Sequence, residues 1–251
     1  MNFIFDLDGT LCFDGHTISD EIKDTIVKAE RYGHTISFAT ARSYRDSINV
    51  LGEKLAKHLT ICLNGGLVYH NGKLMIEHHL PKEIPVFIDK WCQKHVIPYF
   101  IDDYFNYATY RSHQIPFIKT VDPLNLAQKL SLTSLENPIK CVLSFNQKED
   151  LLPIFLQEIK QFPKTDIVYH ENETCLYINP YQITKAKTIL EVIKQPYIAF
   201  GNDKNDISMF QNAHYSVQIG NYEGLKPYAN KQITNQDSIS NVINNLFEEY
   251  Q

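Results

Sequence analysis

Apolar residues in the first part of the chain fall into short runs, separated by longer stretches in which they recur with helical spacing. Phe3-Ile4-Phe5, Ile36-Ser37-Phe38-Ala39 and Leu59 to Leu63 read as buried strands. Ser19 to Tyr32 reads as a helix. Ser19 is its N-cap, Asp20 and Glu21 sit in its first turn, Ile22, Ile26 and Ala29 share one face, and Gly33 stops it. Tyr44 to Leu55 predicts a second helix. Strand, helix, strand, helix, strand predicts an α/β fold with a parallel sheet covered by helices.

The pattern then changes. Leu67 to Leu80 holds Asn71-Gly72 between apolar runs and predicts a hairpin. Beyond it come a helix over Ile84 to Lys94, strands over Pro98 to Ile101 and Tyr104 to Tyr110, and a helix near Leu124 to Leu130. A strand over Lys140 to Phe145, a helix over Lys148 to Gln161, and strands over Asp166 to Tyr169 and Thr174 to Ile178 complete this stretch. That order predicts an antiparallel sheet with helices on one face, an α+β unit of its own. The parallel pattern resumes with a helix over Thr184 to Ile193, a strand over Tyr197 to Phe200, a helix over Asn205 to Ala213, a strand over Ser216 to Ile219 and a last helix toward Glu249. The expected organisation is a discontinuous core, 1–80 with 181–251, and an inserted unit, 81–180, with Pro81 and Pro180 as its hinges.

Composition narrows the partners more than the fold. A net charge of -5 argues against a general nucleic-acid binder. No apolar stretch approaches membrane-spanning length, and the start Met1-Asn2-Phe3-Ile4-Phe5-Asp6 has no basic leader, so a cytoplasmic location without a membrane partner is expected. Cys12, Cys62, Cys92, Cys141 and Cys175 form no Cys-x-x-Cys pair, and the histidines offer no metal-ligand spacing. Reduced thiols are the simple expectation.

The chemistry concentrates at the ends of the core strands. Asp6 and Asp8 stand two apart after Phe3-Ile4-Phe5, and strand periodicity would send both carboxylates to one side. Gly9 then permits a sharp turn. The carboxyl end of a parallel strand is where open α/β sheets place ligands. Two adjacent carboxylates stay ionised with a cation between them, and Mg2+ is a hard ion suited to oxygen ligands. A carboxylate so placed can attack phosphorus. Alone, the run also reads as an acidic turn. Thr40 alone reads first as a helix N-cap, and Asn64-Gly65-Gly66 equally as a plain hairpin entry or a substrate contact. Lys185 and Lys187 compete for one register at a helix start. Asn202, Asp203 and Asp206 follow the strand Tyr197 to Phe200, where further oxygen ligands for the same cation are needed. They also suit an acidic helix N-terminus.

Taken in order, these segments resemble the motifs of the haloacid dehalogenase superfamily, in its Cof-like, type-IIB form. Phe5-Asp6-Leu7-Asp8-Gly9-Thr10-Leu11 resembles the first motif, and Thr40-Ala41-Arg42 resembles the second with Ala41 in place of glycine. Lys185 before Ala186 matches the third, and Gly201-Asn202-Asp203-Lys204-Asn205-Asp206 resembles the fourth, with Asn202 where an aspartate is usual. The resemblance implies a Rossmann-like core with an α+β cap that selects the substrate. It implies hydrolysis of a small phosphate monoester, a sugar phosphate or a phosphorylated cofactor, by a monomer or weak homodimer. Asp6 would be the nucleophile and Asp8 the acid and base, with Thr40 and Lys185 on the phosphoryl oxygens. Gly9, Thr10, Ala41, Arg42, Asn64, Gly65 and Asn205 would line the substrate. Asp6, the carbonyl of Asp8 and one or more of Asn202, Asp203 and Asp206 would hold Mg2+. A phosphomutase or phosphotransferase, or a binding module with weakened turnover, would carry the same motifs.

Overall fold

The computed structural model describes residues 1–251. The chain forms two compact units, Met1–Ile76 with Thr184–Gln251, and Glu77–Ile183.

The first unit opens with β1 (Asn2–Phe5), α1 (Asp20–Val27), β2 (Thr35–Ala39), α2 (Tyr44–Leu55) and β3 (Leu59–Cys62). The hairpin β4 (Leu67–His70) and β5 (Lys73–Glu77) follows, turning at Asn71 and Gly72 with positive φ at both. The second unit contains α3 (Glu83–His95), β6 (Tyr99–Asp103), β7 (Asn106–Tyr110), β8 (Lys129–Leu130), β9 (Pro138–Ser144), α4 (Leu152–Glu158), β10 (Thr165–His170) and β11 (Cys175–Pro180). The first unit then resumes with α5 (Lys185–Val192), β12 (Tyr197–Gly201), α6 (Ile207–Gln211), β13 (Tyr215–Ile219), β14 (Lys231–Ile233) and α7 (Ile239–Glu249). No helix is long and apolar enough to cross a membrane.

The core sheet has the order β14-β13-β12-β1-β2-β3-β4-β5. It is parallel from β14 to β3, and β4 turns antiparallel. Phe3, Phe5, Phe38, Phe200 and Val217 project to one face, beneath Ile22 and Ile26 of α1, Leu51 of α2 and Phe247 of α7. Ile4, Ala39, Ile61 and Ala199 project to the other, beneath Ile189 of α5 and Met209 and Phe210 of α6. Alternate residues of each strand thus feed two apolar layers, and burial on both faces drives the doubly wound sheet. β1 pairs with β2 on one side and β12 on the other, so strand order reverses at β1. Ligands of such sheets bind at that reversal, beyond the carboxyl ends of the strands.

The second unit has a six-stranded sheet, β10-β11-β9-β6-β7-β8. Ile88, Trp91 and Phe155 of α3 and α4 cover one face, over Tyr99, Ile101, Leu143 and Leu176. The helix expected near Leu124 to Leu130 is absent. The Asp122 carboxylate accepts from Leu126 N at 2.7 Å and Ala127 N at 3.1 Å, and takes over amides a helix would use. Lys129 and Leu130 instead pair with β7. The unit boundaries fall a few residues outside the expected hinges, and Pro180 closes β11. β14 carried no periodic signal, being three residues long with two exposed.

Candidate active site

Three strand ends meet at the reversal: Asp6 follows β1, Thr40 follows β2 and Asn202 follows β12. Asp6 N donates to Phe200 O at 2.9 Å, which extends the β1–β12 ladder by one residue. The chain then curls. Leu7 O accepts from Leu11 N at 2.9 Å and Cys12 N at 2.8 Å, and Gly9 N donates to Cys12 O at 2.8 Å. Gly9 lies at φ +72°, and a Cβ there would stand 2.2 Å from the Asn202 carboxamide. Glycine therefore meets two demands at once, the left-handed turn and the close approach of Asn202.

The curl separates the two aspartates, contrary to the expectation of paired carboxylates. The strand ends at Phe5, so its two-residue period does not reach Asp8. Asp6 is buried, at 4% exposure. The Asp8 side chain is 49% exposed and turned to Arg42. Arg42 Nε donates to Asp8 Oδ2 at 2.8 Å, and Nη2 donates to Asp8 Oδ1 at 2.5 Å and to Gly15 O at 2.7 Å. The Asp8 backbone carbonyl, not its carboxylate, faces the same side as Asp6.

Lys185 opens α5, whose N-cap Thr184 accepts from Lys187 N at 3.2 Å. That capping register turns Lys185 inward, to 1% exposure, and leaves Lys187 exposed. Lys185 Nζ donates to Asp6 Oδ1 at 2.6 Å and to Asp206 Oδ1 at 2.7 Å. Asp206 is fully buried, and its Oδ2 accepts from Asn202 N at 2.9 Å and Asp203 N at 3.2 Å. Both Asp206 oxygens are thus engaged in holding Lys185 and the turn. Burial lifts the Asp6 carboxyl to about 7, against the pull of Lys185 and with Asp206 and Asp8 pushing the same way. Burial also disfavours the Lys185 ammonium, but Asp206 and Asp6 outweigh it and hold Lys185 above its ordinary value. The physical origin is one ammonium facing two buried carboxylates.

Asn202 completes the cluster. One end of its carboxamide lies 3.1 Å from Asp6 Oδ2, 2.9 Å from Asp8 O and 3.2 Å from Thr10 Oγ1. With nitrogen on that side it donates to these oxygens, while Thr10 Oγ1 donates to Asp6 Oδ2 at 3.2 Å. Asp203 stands apart. It is exposed, and its Oδ1 accepts from Lys204 N at 2.7 Å as a helix cap.

A second group lies around Thr40, which is buried, accepts at Oγ1 from Arg42 N at 3.1 Å and accepts at its carbonyl from Asn64 N at 2.9 Å. Ala41, half-buried, links it to Arg42. Asn64 adopts a left-handed φ of 56°, and its Oδ1 accepts from Asn205 Nδ2 at 3.1 Å. Gly65, at φ +109°, would carry a Cβ only 2.6 Å from Thr184 O. Thr188 escaped the sequence reading. Its hydroxyl donates to Gly65 O at 2.9 Å and so ties the start of α5 to the end of β3. The available signal was its spacing of three from Lys185, which puts both on one helix face. Burial pushes the neighbouring Cys12 thiol up to about 11, which keeps it neutral.

The model of the haloacid dehalogenase-like hydrolases matches residues 3–245. The 5-amino-6-(5-phospho-D-ribitylamino)uracil phosphatase YitU of Bacillus subtilis is 25% identical over 260 residues, covering 94% of this chain and 91% of that protein. Among solved structures, a haloacid dehalogenase-like hydrolase from Bacteroides thetaiotaomicron superposes with a TM-score of 0.83, at 21% identity and 98% coverage of both chains. A subclass IIB sugar phosphatase of the same superfamily superposes at 0.76, also with 21% identity and 98% coverage of both. The chain belongs to the haloacid dehalogenase-like hydrolases, and is a Cof-like hydrolase within them.

Proposed function

We propose that this protein is a Mg2+-dependent phosphatase that hydrolyses a small phosphate monoester through an aspartyl-phosphate on Asp6. The observation that carries the reading is Asp6 itself: a buried carboxylate with one oxygen on Lys185 and the other facing Thr10 and the Asn202 amide, which also faces Asp8 O.

The residues fit a magnesium ion. Asp6 Oδ2, Asp8 O and the inward end of Asn202 offer edges of 3.1 and 2.9 Å. Oxygens at adjacent corners of an octahedron with Mg–O bonds of about 2.1 Å stand about 3 Å apart. Asp203 is turned away and Asp206 is saturated, so Asn202 is the ligand we assign from this segment. The ion supplies charge neutralisation at the phosphoryl oxygens.

Asp6 attacks phosphorus in line and forms the acyl phosphate. Lys185 stabilises charge on the transferring group, and Thr40 orients it. Asp8 acts as acid in its protonated form, with Arg42 retaining one oxygen while the other gives its proton to the leaving oxygen; the carboxylate so formed then takes a proton from the water that cleaves the aspartyl-phosphate. Arg42 aims the Asp8 carboxylate through its two-pronged contact. The Glu77–Ile183 unit selects the substrate. The relatives whose names state a substrate act on a sugar phosphate and on a phosphoribityl compound, which favours a phosphorylated polyol here.

The test is phosphate release from an aryl phosphate and from a panel of sugar phosphates, with Mg2+ and with chelator. Asp6→Asn should abolish release. Full activity in that variant would refute the mechanism, and an isomerised sugar phosphate in place of free phosphate would favour a phosphomutase.

A further inference from the structure

We infer that the Asn202 carboxamide is a reversible stand-in for the metal, a role that rests on the phosphatase reading above. An aspartate at this position would have only oxygens to offer. Asparagine has an oxygen on one side and an N–H2 on the other. The inward end of Asn202 lies 3.1 Å from Asp6 Oδ2, 2.9 Å from Asp8 O and 3.2 Å from Thr10 Oγ1, all of them oxygens. With nitrogen inward, the amide donates to the two atoms that would otherwise ligate a cation. With oxygen inward, it becomes a third ligand beside them. The two arrangements differ by a half-turn of the side-chain amide, and the space at Gly9 bounds that movement.

The local charge explains why such a device has an effect. Asp6 and Asp206 share the ammonium of Lys185, and no other cationic side chain contacts them in the cluster. An aspartate at 202 would add a third carboxylate against Asp6 in metal-free protein. With nitrogen inward, the amide instead gives Asp6 Oδ2 a charge-assisted hydrogen bond. The metal-free protein is thereby stabilised, and metal capture has to reverse the amide. Metal affinity is weakened accordingly, because a ligand must displace what already occupies its place in the balance.

The test compares wild type, Asn202→Asp and Asn202→Ala by thermal unfolding in chelator and in Mg2+, and by calorimetric titration of Mg2+ into chelator-treated protein. In chelator, both variants should unfold roughly 3–8 °C below wild type. In titration, Asn202→Asp should bind Mg2+ about tenfold tighter or more than wild type, and Asn202→Ala more weakly. Asn202→Ala adds no charge and keeps the test open should Asn202→Asp not fold. Metal-free midpoints equal to wild type in Asn202→Ala, or an unchanged Mg2+ affinity in Asn202→Asp, would overturn the inference while leaving a Mg2+-dependent wild type, and hence the phosphatase reading, intact. A wild type that neither binds Mg2+ nor releases phosphate would overturn both.

Discussion

Asp206 holds the ammonium of Lys185 at 2.7 Å, with both groups sealed from solvent. The same ammonium reaches Asp6 at 2.6 Å, so a single cation organises two carboxylates from opposite ends of the chain. Lys185→Met leaves those carboxylates buried and unpaired. Stability should fall by about 3–5 kcal/mol. Phosphate release should fall about a hundredfold or more. Urea unfolding and steady-state turnover measure the two effects. A loss of stability under about 1 kcal/mol would show that the ion pairs do not hold the cluster together.

Gly9 and Gly33 share a φ of +72°, but only Gly9 has a neighbour in reach of a Cβ. Gly33→Ala should therefore report the backbone strain alone, about 1 kcal/mol. Gly9→Ala should lose roughly 1–3 kcal/mol more, and with it most of the Mg2+-induced rise in midpoint, because Asn202 is displaced. Equal effects in the two variants would remove Asn202 from the proposed metal site.

Arg42 grips both oxygens of Asp8 and is anchored by Gly15 O. Lysine cannot reproduce a two-pronged planar contact. Arg42→Lys should lower kcat about ten- to a hundredfold through a misaimed acid, with a smaller change in KM. An unaltered kcat would mean that Asp8 aims itself.

His58 is half-buried with its ring edge toward Phe38, and burial lowers its pKa below 6.5. The unfolded chain then binds the proton before the folded one does as pH falls. The stability from this group is thus present above pH 6.5 and declines as pH drops below that value. His58→Phe should show a smaller fall in unfolding midpoint between pH 7.5 and 5.5 than wild type. A parallel fall in both proteins would assign the pH dependence to other groups.

Much of the core was legible because its strands are continuous apolar runs buried on two faces, as with Phe3, Ile4 and Phe5. Register at Lys185 was not legible from periodicity, since Lys187 lies on the same short segment; the Thr184 cap decides it. Asp8 misled for a related reason. Its carboxylate direction depends on where β1 stops, and a strand end is a hydrogen-bonding event that no local pattern marks. Near Leu124 the helical spacing is present, but the Asp122 carboxylate captures the amides first. The contest among Asn202, Asp203 and Asp206 turned on a single helical turn, which points one outward, buries one against Lys185 and leaves Asn202 for Asp6.

The middle position of β1 also bears on how the molecule is made. This strand is made well before β12, which covers one of its edges. Until α5 and β12 are made, Asp6 exists without Lys185 or Asn202 beside it. The Asp6 cluster therefore assembles only after α5 and β12 have been made, however well the early helices have formed. The uncovered edge of β1 is where a chaperone or a stray strand would seat itself until Gly201 has cleared the exit tunnel.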